Sequence, residues 1–412
     1  MAIIKAFKAL RPIPAKAAAV AALPYDVMNS AEARKMVEGN PDSFLHVDKA
    51  EVDLPENTYL YSPQVYAKAR ENLDRLEKSG VCRQDEKPCL YIYRQVMNGR
   101  AQTGLVCCAS ADDYIRNVIK KHEFTRAEKE KDRICHVDTC DANTGPIFLT
   151  YRDNAAVNDT IHRFMKEHAP VYSFTAHDVL NEVWVMADEA LVASLVAAFK
   201  EVPALYIADG HHRAASAIAV AKKRRAAQPD YDGSEEFNYF LAVLFPESEL
   251  AIMDYNRVVK DLNGLSKEAF LASLGEQFEL EEQAAQYKPQ KRHEFGLYLD
   301  EKWYKMSLKA GCCDESDPLA RLDVSILQSK VLTPLLGIGD PREDKRIDFI
   351  GGIRGLGELE KRCSEDMCLA FAMYPTSIDD LMAIADSGNV MPPKSTWFEP
   401  KLLSGLFIHK LS

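Results

Sequence analysis

Apolar residues follow two rhythms along this chain. Short runs bounded by turn residues, among them CLYIYRQV, QTGLVCCASA, PIFLTY, VWVMA, ALYIA, FNYFLAVLFP, EFGLYLD, KWYKMSLKA and MCLAFAMYP, predict strands. The first two are separated by Asn98-Gly99, the pair that favours a type I′ hairpin turn. Between the runs the spacing changes to that of helices. Val65, Ala67, Ala69, Leu73 and Leu76 mark one apolar face over 62–80, with Gly80 as its stop. Asn29 or Ser30 is placed to cap a helix that ends near Gly39, and Asn40-Pro41 then turns the chain. Further helices are predicted within 155–200, over 212–227, near 267–278, and through RLDVSILQSKVLTPLLGI and IDDLMAIADSGN.

This alternation predicts a mixed α/β fold with an α+β portion towards the C-terminus. The expected division is an N-terminal α/β region at 1–228 and a C-terminal α+β region at 229–412, with one intertwined domain as the alternative. GCCDESDP is the clearest linker within the second half. No internal repeat or low-complexity segment is visible.

Composition narrows the function classes. A chain of 412 residues, 47% of them hydrophobic, can bury a large core. Its formal net charge of -11 argues against broad electrostatic binding of nucleic acid or of an anionic membrane. No apolar run is long enough to span a bilayer, and the start of the chain, broken by Pro12 and Pro14 and carrying Lys5, Lys8, Arg11 and Lys16, reads poorly as a signal peptide. The ten cysteines show neither zinc-ribbon nor disulfide-scaffold spacing, so reduced thiols in a cytoplasm are expected.

The densest chemistry follows the run ALYIA: Asp209, Gly210, His211, His212 and Arg213 meet at a strand-to-helix turn. A helix start offers backbone N–H groups and the positive end of the helix dipole, and Gly lets a ligand approach closely, so an anion such as phosphate suits the place. Asp209 is then a base or a Mg²⁺ ligand; the competing reading is that it caps the helix and pairs with Arg213. A zinc site from this segment alone is disfavoured, because the helical partners of His211 and His212 at i+4 are Ala215 and Ser216. It would need His122 or His136 from elsewhere. GGIRGLG lacks the Lys-Ser/Thr ending of a phosphate loop and reads as a turn. Cys135 and Cys140 read as ordinary thiols.

ADGHHRAASA resembles the DGHHR box of free serine kinases in the ParB and sulfiredoxin-like superfamily. The segments RPIPA, LPYDVMNSAEA, NPDSFLHV, KHEFTRAEKEKDR, ANTGPIFLTY, LYIADGHHRAASA, NRVV, LDVSILQ and MPPKSTWFEPKLLSGL, in this order, resemble one bacterial and archaeal family, number 1015 among the domains of unknown function. The resemblance implies a ParB/sulfiredoxin-like core with added strands and helices. It changes the reading of the charged stretch 112–146, otherwise a solvated helix face, by marking His122, Glu123, Thr125, Lys129 and Arg133 as a box. His122 or Glu123 is then the candidate base on a substrate hydroxyl, and Lys129 or Arg133 neutralises phosphate charge.

Lys394, Ser395, Thr396 and Lys401 form a further group of donors for phosphate, although a proline-stiffened strand tucked into the core explains Phe398, Leu402 and Leu406 equally well. Asp26 either lines the site or caps a turn, and it joins Thr125 and Asn143 as the expected substrate contacts. The function implied is a cytoplasmic phosphotransferase that uses ATP or ADP with Mg²⁺ on a small hydroxyl metabolite, free serine being the first candidate. A non-catalytic nucleotide-sensing protein is the alternative, and a DNA-binding regulator or a metal hydrolase using His122, His211 and His212 are more distant ones. The expected partners are a nucleotide and a small-molecule substrate, with self-association allowed.

Overall fold

A computed structural model describes residues 1–412 and shows a mixed α/β protein of two compact units. The first comprises 1–121, 125–250 and 400–412; the second comprises 122–124 and 251–399. No helix is long and apolar enough to cross a membrane.

A nine-stranded sheet organises the first unit. Its order runs Ile119–Lys120, Leu205–Asp209, Ile147–Tyr151, Tyr239–Pro246, Arg100–Ser110, Leu90–Met97, Val179–Met186 and Tyr172–Ala176, with Ile4–Lys5 added on Arg100–Ser110. Ile147–Tyr151 lies parallel to Tyr239–Pro246 and antiparallel to Leu205–Asp209. The hairpin at Asn98-Gly99 forms with both residues at positive φ (51° and 78°), the geometry of a type I′ turn. Leu90, Ile92, Leu105, Ile147, Leu149, Leu205, Ile207 and Leu244 form the core under helices that include His211–Ala227, whose Ala214, Ala217, Ile218 and Ala221 face the sheet. The N-terminal helices form as the sequence predicts: Ser30–Val37 is closed by an Asn29–Glu32 capping box, and Pro63–Lys78 ends before Gly80 at φ +75°.

The first unit continues beyond the division expected at 228/229, because Tyr239–Pro246 is an interior strand of its sheet. It also regains the last residues of the chain. Leu406, Phe407 and Ile408 are buried, and Ile408 exchanges two backbone hydrogen bonds with Leu10. Hydrophobic periodicity shows that such a run is buried but not against what.

The charged stretch 112–146 is not one solvated helix. It forms Ala111–Ile115, the strand Ile119–Lys120 and the helix Ala127–Cys140, of which Arg133, His136, Val137 and Cys140 are buried. The basic group in the last turns of His211–Ala227 is answered by acids: Lys223 pairs with Asp138, Arg224 with Asp138 and Asp141, and Arg225 with Asp112.

The second unit is built on a six-stranded antiparallel sheet ordered Phe278–Gln283, Lys302–Leu308, Glu294–Leu299, Leu369–Ala372, Tyr255–Val259 and Ile347–Gly351. Val258, Trp303, Ile350, Leu359, Ala370 and Ala372 form a core cluster of this unit. GCCDESDP connects elements within this unit, and GGIRGLG forms a turn through Gly355 at φ +71°.

Candidate functional site

Burial of Leu205, Tyr206, Ile207 and Ala208 fixes the strand that delivers the DGHHR segment. A register shift between Ile207 and Asp209 marks a bulge at its carboxyl end, where open α/β sheets present their ligand sites. Gly210 is the N-cap of the following helix, at φ +90°, and supplies no side chain to the first turn. The N–H of Ala214 is the first to bond within the helix, to Gly210 O at 2.9 Å. Gly210 therefore gives the preceding N–H groups no side-chain cap, and the positive end of the dipole there suits an anion.

A side chain at 210 is disfavoured twice, by the left-handed backbone and by Arg213, whose Nε lies 3.2 Å from where a Cβ would stand. Gly210→Ala is expected to lower the unfolding free energy by about 1–3 kcal/mol, read from the denaturant midpoint at unchanged slope.

Asp209 turns back onto this corner. Its Oδ1 accepts the Gly210 N–H at 2.7 Å and its Oδ2 accepts from Lys401 Nζ at 3.1 Å. Burial alone would raise its pKa, but the charges of Lys401 and then Arg213 outweigh it and hold the carboxyl well below the usual range. It is ionised throughout the physiological range. Arg213 donates from Nη1 to Pro146 O at 2.5 Å, while its buried Nε has no hydrogen-bond partner. Asp26 and Asp209 are the carboxylates that stabilise its charge most. His212 accepts the Arg126 N–H at Nε2 (3.0 Å), and burial, followed by the charge of Lys129, lowers its pKa. The neutral ring thus carries its proton on Nδ1, as a donor.

Beside this corner lies a cavity of about 20 Å³, lined by residues that include Tyr25, Asp48, Arg133, Thr144, Arg213 and Ser404. It has room for about one water-sized group. Arg133 stacks over the Tyr25 ring at 4.1 Å and pairs with Asp132 at 2.8 Å, and Asp48 accepts the Thr144 hydroxyl at 2.7 Å. His136 is buried with Nε2 3.0 Å from Val47 O, and burial, then Arg133, lowers its pKa. A folded-state value below the ordinary 6.5 means that its contribution is complete above that pH and is lost as pH falls through the folded value. The thermal midpoint should therefore fall between pH 7 and pH 5, and less steeply in His136→Gln. His212 and His409 are shifted the same way by burial, so the slope should shrink without vanishing.

The residues singled out in the sequence divide between the units. Asp26, Thr125, Lys129, Arg133, Asn143, Asp209, Gly210, His211, His212, Arg213 and Lys401 belong to the first; His122, Glu123, Lys394, Ser395 and Thr396 belong to the second. Several have local structural duties. Thr125 donates to Glu130 at 2.7 Å, and Asn143 Oδ1 accepts the Leu241 N–H at 3.2 Å while its backbone pairs with His409. Ser395 donates to Pro392 O at 2.6 Å, Lys394 sits over the Tyr255 ring, and Thr396 Oγ1 lies 3.5 Å from His122 Nε2. Asp48 lies just outside the segments that carry the resemblance, whereas Thr144 and Ser404 stand within two of them, ANTGPIFLTY and MPPKSTWFEPKLLSGL, without a role of their own. The hint for Asp48 is an acid closing the stretch FLHV, and the fold brings all three to the same cavity.

The sequence matches, over residues 4–325, the model of a family described as proteins of unknown function, DUF1015. No curated protein matches it. Among solved structures, similarity is found to a free serine kinase in complex with AMP (14% identity, TM-score 0.36, covering 72% of this chain and 86% of that one). It extends to SbnI with a C-terminal truncation from Staphylococcus aureus (12%, 0.38, 73% and 85%) and to a conserved hypothetical protein from Pyrococcus furiosus (13%, 0.36, 76% and 97%).

Proposed function

We propose that this chain, which belongs to the DUF1015 family of proteins of unknown function, binds the phosphates of ATP or ADP at the first turn of helix His211–Ala227 and passes a phosphoryl group to a small hydroxyl metabolite such as serine. The observation that carries the reading is the buried Nε of Arg213, which has no hydrogen-bond partner and lies beside a helix start that Gly210 leaves without a side-chain cap. A phosphate oxygen would complete it by a charge-assisted hydrogen bond, at the end of the helix whose dipole favours an anion. The resemblance of the DGHHR box to that of free serine kinases supports the same assignment.

Within this unit Arg213 and the first-turn N–H groups would hold phosphate oxygens, His212 would donate from Nδ1, and Lys401 would keep Asp209 turned onto Gly210. A bound nucleotide would supply the transferable phosphoryl group. Asp26, exposed at the surface and close enough to influence both Arg213 and His212, is the acceptor we assign to the substrate hydroxyl. Mg²⁺ is given no step at Asp209, because a cation at Oδ2 would have to displace the Lys401 ammonium.

That same double engagement of Asp209 favours a second reading, a nucleotide-sensing protein without turnover. Incubation with ATP or ADP, with and without Mg²⁺, and a panel of serine-like hydroxyl compounds separates the two. A phosphorylated product supports transfer; nucleotide-dependent stabilisation without product supports sensing. Absence of both rejects the site.

A further inference from the structure

The second unit carries a cluster that no part of this function uses. His293 precedes the strand Glu294–Leu299, and Cys313 and Glu315 follow its hairpin partner Lys302–Leu308. The hairpin returns the chain to its starting end, where the Leu308 N–H bonds to His293 O at 2.9 Å. Residues twenty apart in sequence thus meet. One ligand atom from each of His293, Cys313 and Glu315 lies within 4.8 Å of the others. Glu315 Oε1 is 3.4 Å from His293 Nδ1 and 3.3 Å from Cys313 Sγ.

We propose that His293, Cys313 and Glu315 form a binding site for a zinc-like divalent transition metal. Three observations converge on it. The two measured separations match the roughly 3.3–3.7 Å between ligand atoms of a tetrahedral zinc whose bonds are about 2.0–2.3 Å. The imidazole is already oriented for the role: Nε2 lies 3.1 Å from the Arg321 carbonyl, to which it donates, which leaves Nδ1, 3.4 Å from Glu315 Oε1, as the nitrogen for the metal. The donor set of one thiolate, one imidazole and one carboxylate suits zinc or cobalt, and not calcium or magnesium.

Asp323 strengthens the support behind the histidine by accepting its backbone N–H at 2.9 Å. Glu315 is 65% exposed, so the fourth position of the metal faces solvent and would take water. On binding, the Cys313 thiol gives its proton to solvent, and the sulfur takes the metal in its place. The conspicuous sequence feature, Cys312-Cys313, is by contrast not a ligand pair in this arrangement, since only Cys313 belongs to the cluster.

Titration of the full chain with Co²⁺ under reducing conditions tests the site. One equivalent should produce a thiolate-to-cobalt charge-transfer band, and zinc should bleach it. Cys313→Ser should abolish the band and Cys312→Ser should retain it. His293→Ala should weaken zinc binding by more than about 100-fold, measured by competition with a chromophoric chelator. Circular dichroism of each variant verifies that the fold survives. A folded wild type without the band, or a band that persists in Cys313→Ser, overturns the proposal.

Discussion

Replacing Arg213 with Gln is expected to remove most of the stabilisation of the protein by ADP. At one hundred times its dissociation constant a ligand contributes about 2.7 kcal/mol, which for a domain of this class is a rise of roughly 5–10 °C in the thermal midpoint. Hydrogen bonds to charged groups are worth about 1.5–3 kcal/mol each, and the guanidinium fork offers two to a phosphate, so the Gln variant should lose at least about a hundredfold in affinity. Arg213→Lys keeps the charge but not the fork and should retain a small part of the shift. Because Arg213 also donates to Pro146 O, both variants should start from a lower midpoint without ligand. The ligand-dependent increment is the quantity that decides, measured by scanning fluorimetry at matched protein concentration.

The second large effect is expected at the Asp209–Lys401 pair. Lys401 is 13% exposed and Asp209 30%, so removing one partner leaves the other charge poorly hydrated. Asp209→Asn and Lys401→Met should each cost about 1–3 kcal/mol, less than for a fully buried pair, and the double variant should cost less than their sum. The pH dependence has a definite sign. The folded-state pKa of Asp209 lies below its ordinary 3.8, so the contribution of this group is complete above that pH and is lost as pH falls through the folded value. The deficit of Asp209→Asn against wild type should be full at pH 7 and shrink in acid. The pair also has a positional role. It ties the returning segment 400–412 to the phosphate turn, so Lys401→Met should weaken ADP binding as well as stability.

Much of this unit can be read from its residues, for reasons that are local. The hairpin at Asn98-Gly99, the capped helix after Asn29 and the strand-to-helix turn at Asp209–Arg213 depend on turn chemistry, periodicity and burial, all written within a few residues. What escaped reading is non-local. Nothing in LLSGLFI says that Ile408 pairs with Leu10, or that Lys401 reaches Asp209. Nor does the spacing of KHEFT to KEKDR reveal that His122 and Glu123 join the second unit while Lys129 and Arg133 join the first. Arg133 shows the difference most sharply. In sequence it is one cation in a charged run, whereas in the fold it is buried, stacked on Tyr25 and paired with its neighbour Asp132. The grouping of His293 with Cys313 and Glu315 is illegible for the same reason, since a β-hairpin separates the histidine from the other two along the chain.

The proposed function requires that the turn behind Gly210 recognise phosphate. Isothermal titration of the full chain with ADP and with adenosine tests it most directly. Saturable ADP binding that inorganic phosphate competes away, with adenosine at least about tenfold weaker, is the predicted result. Equal binding of ADP and adenosine, or ADP binding unchanged in Arg213→Gln, would contradict it.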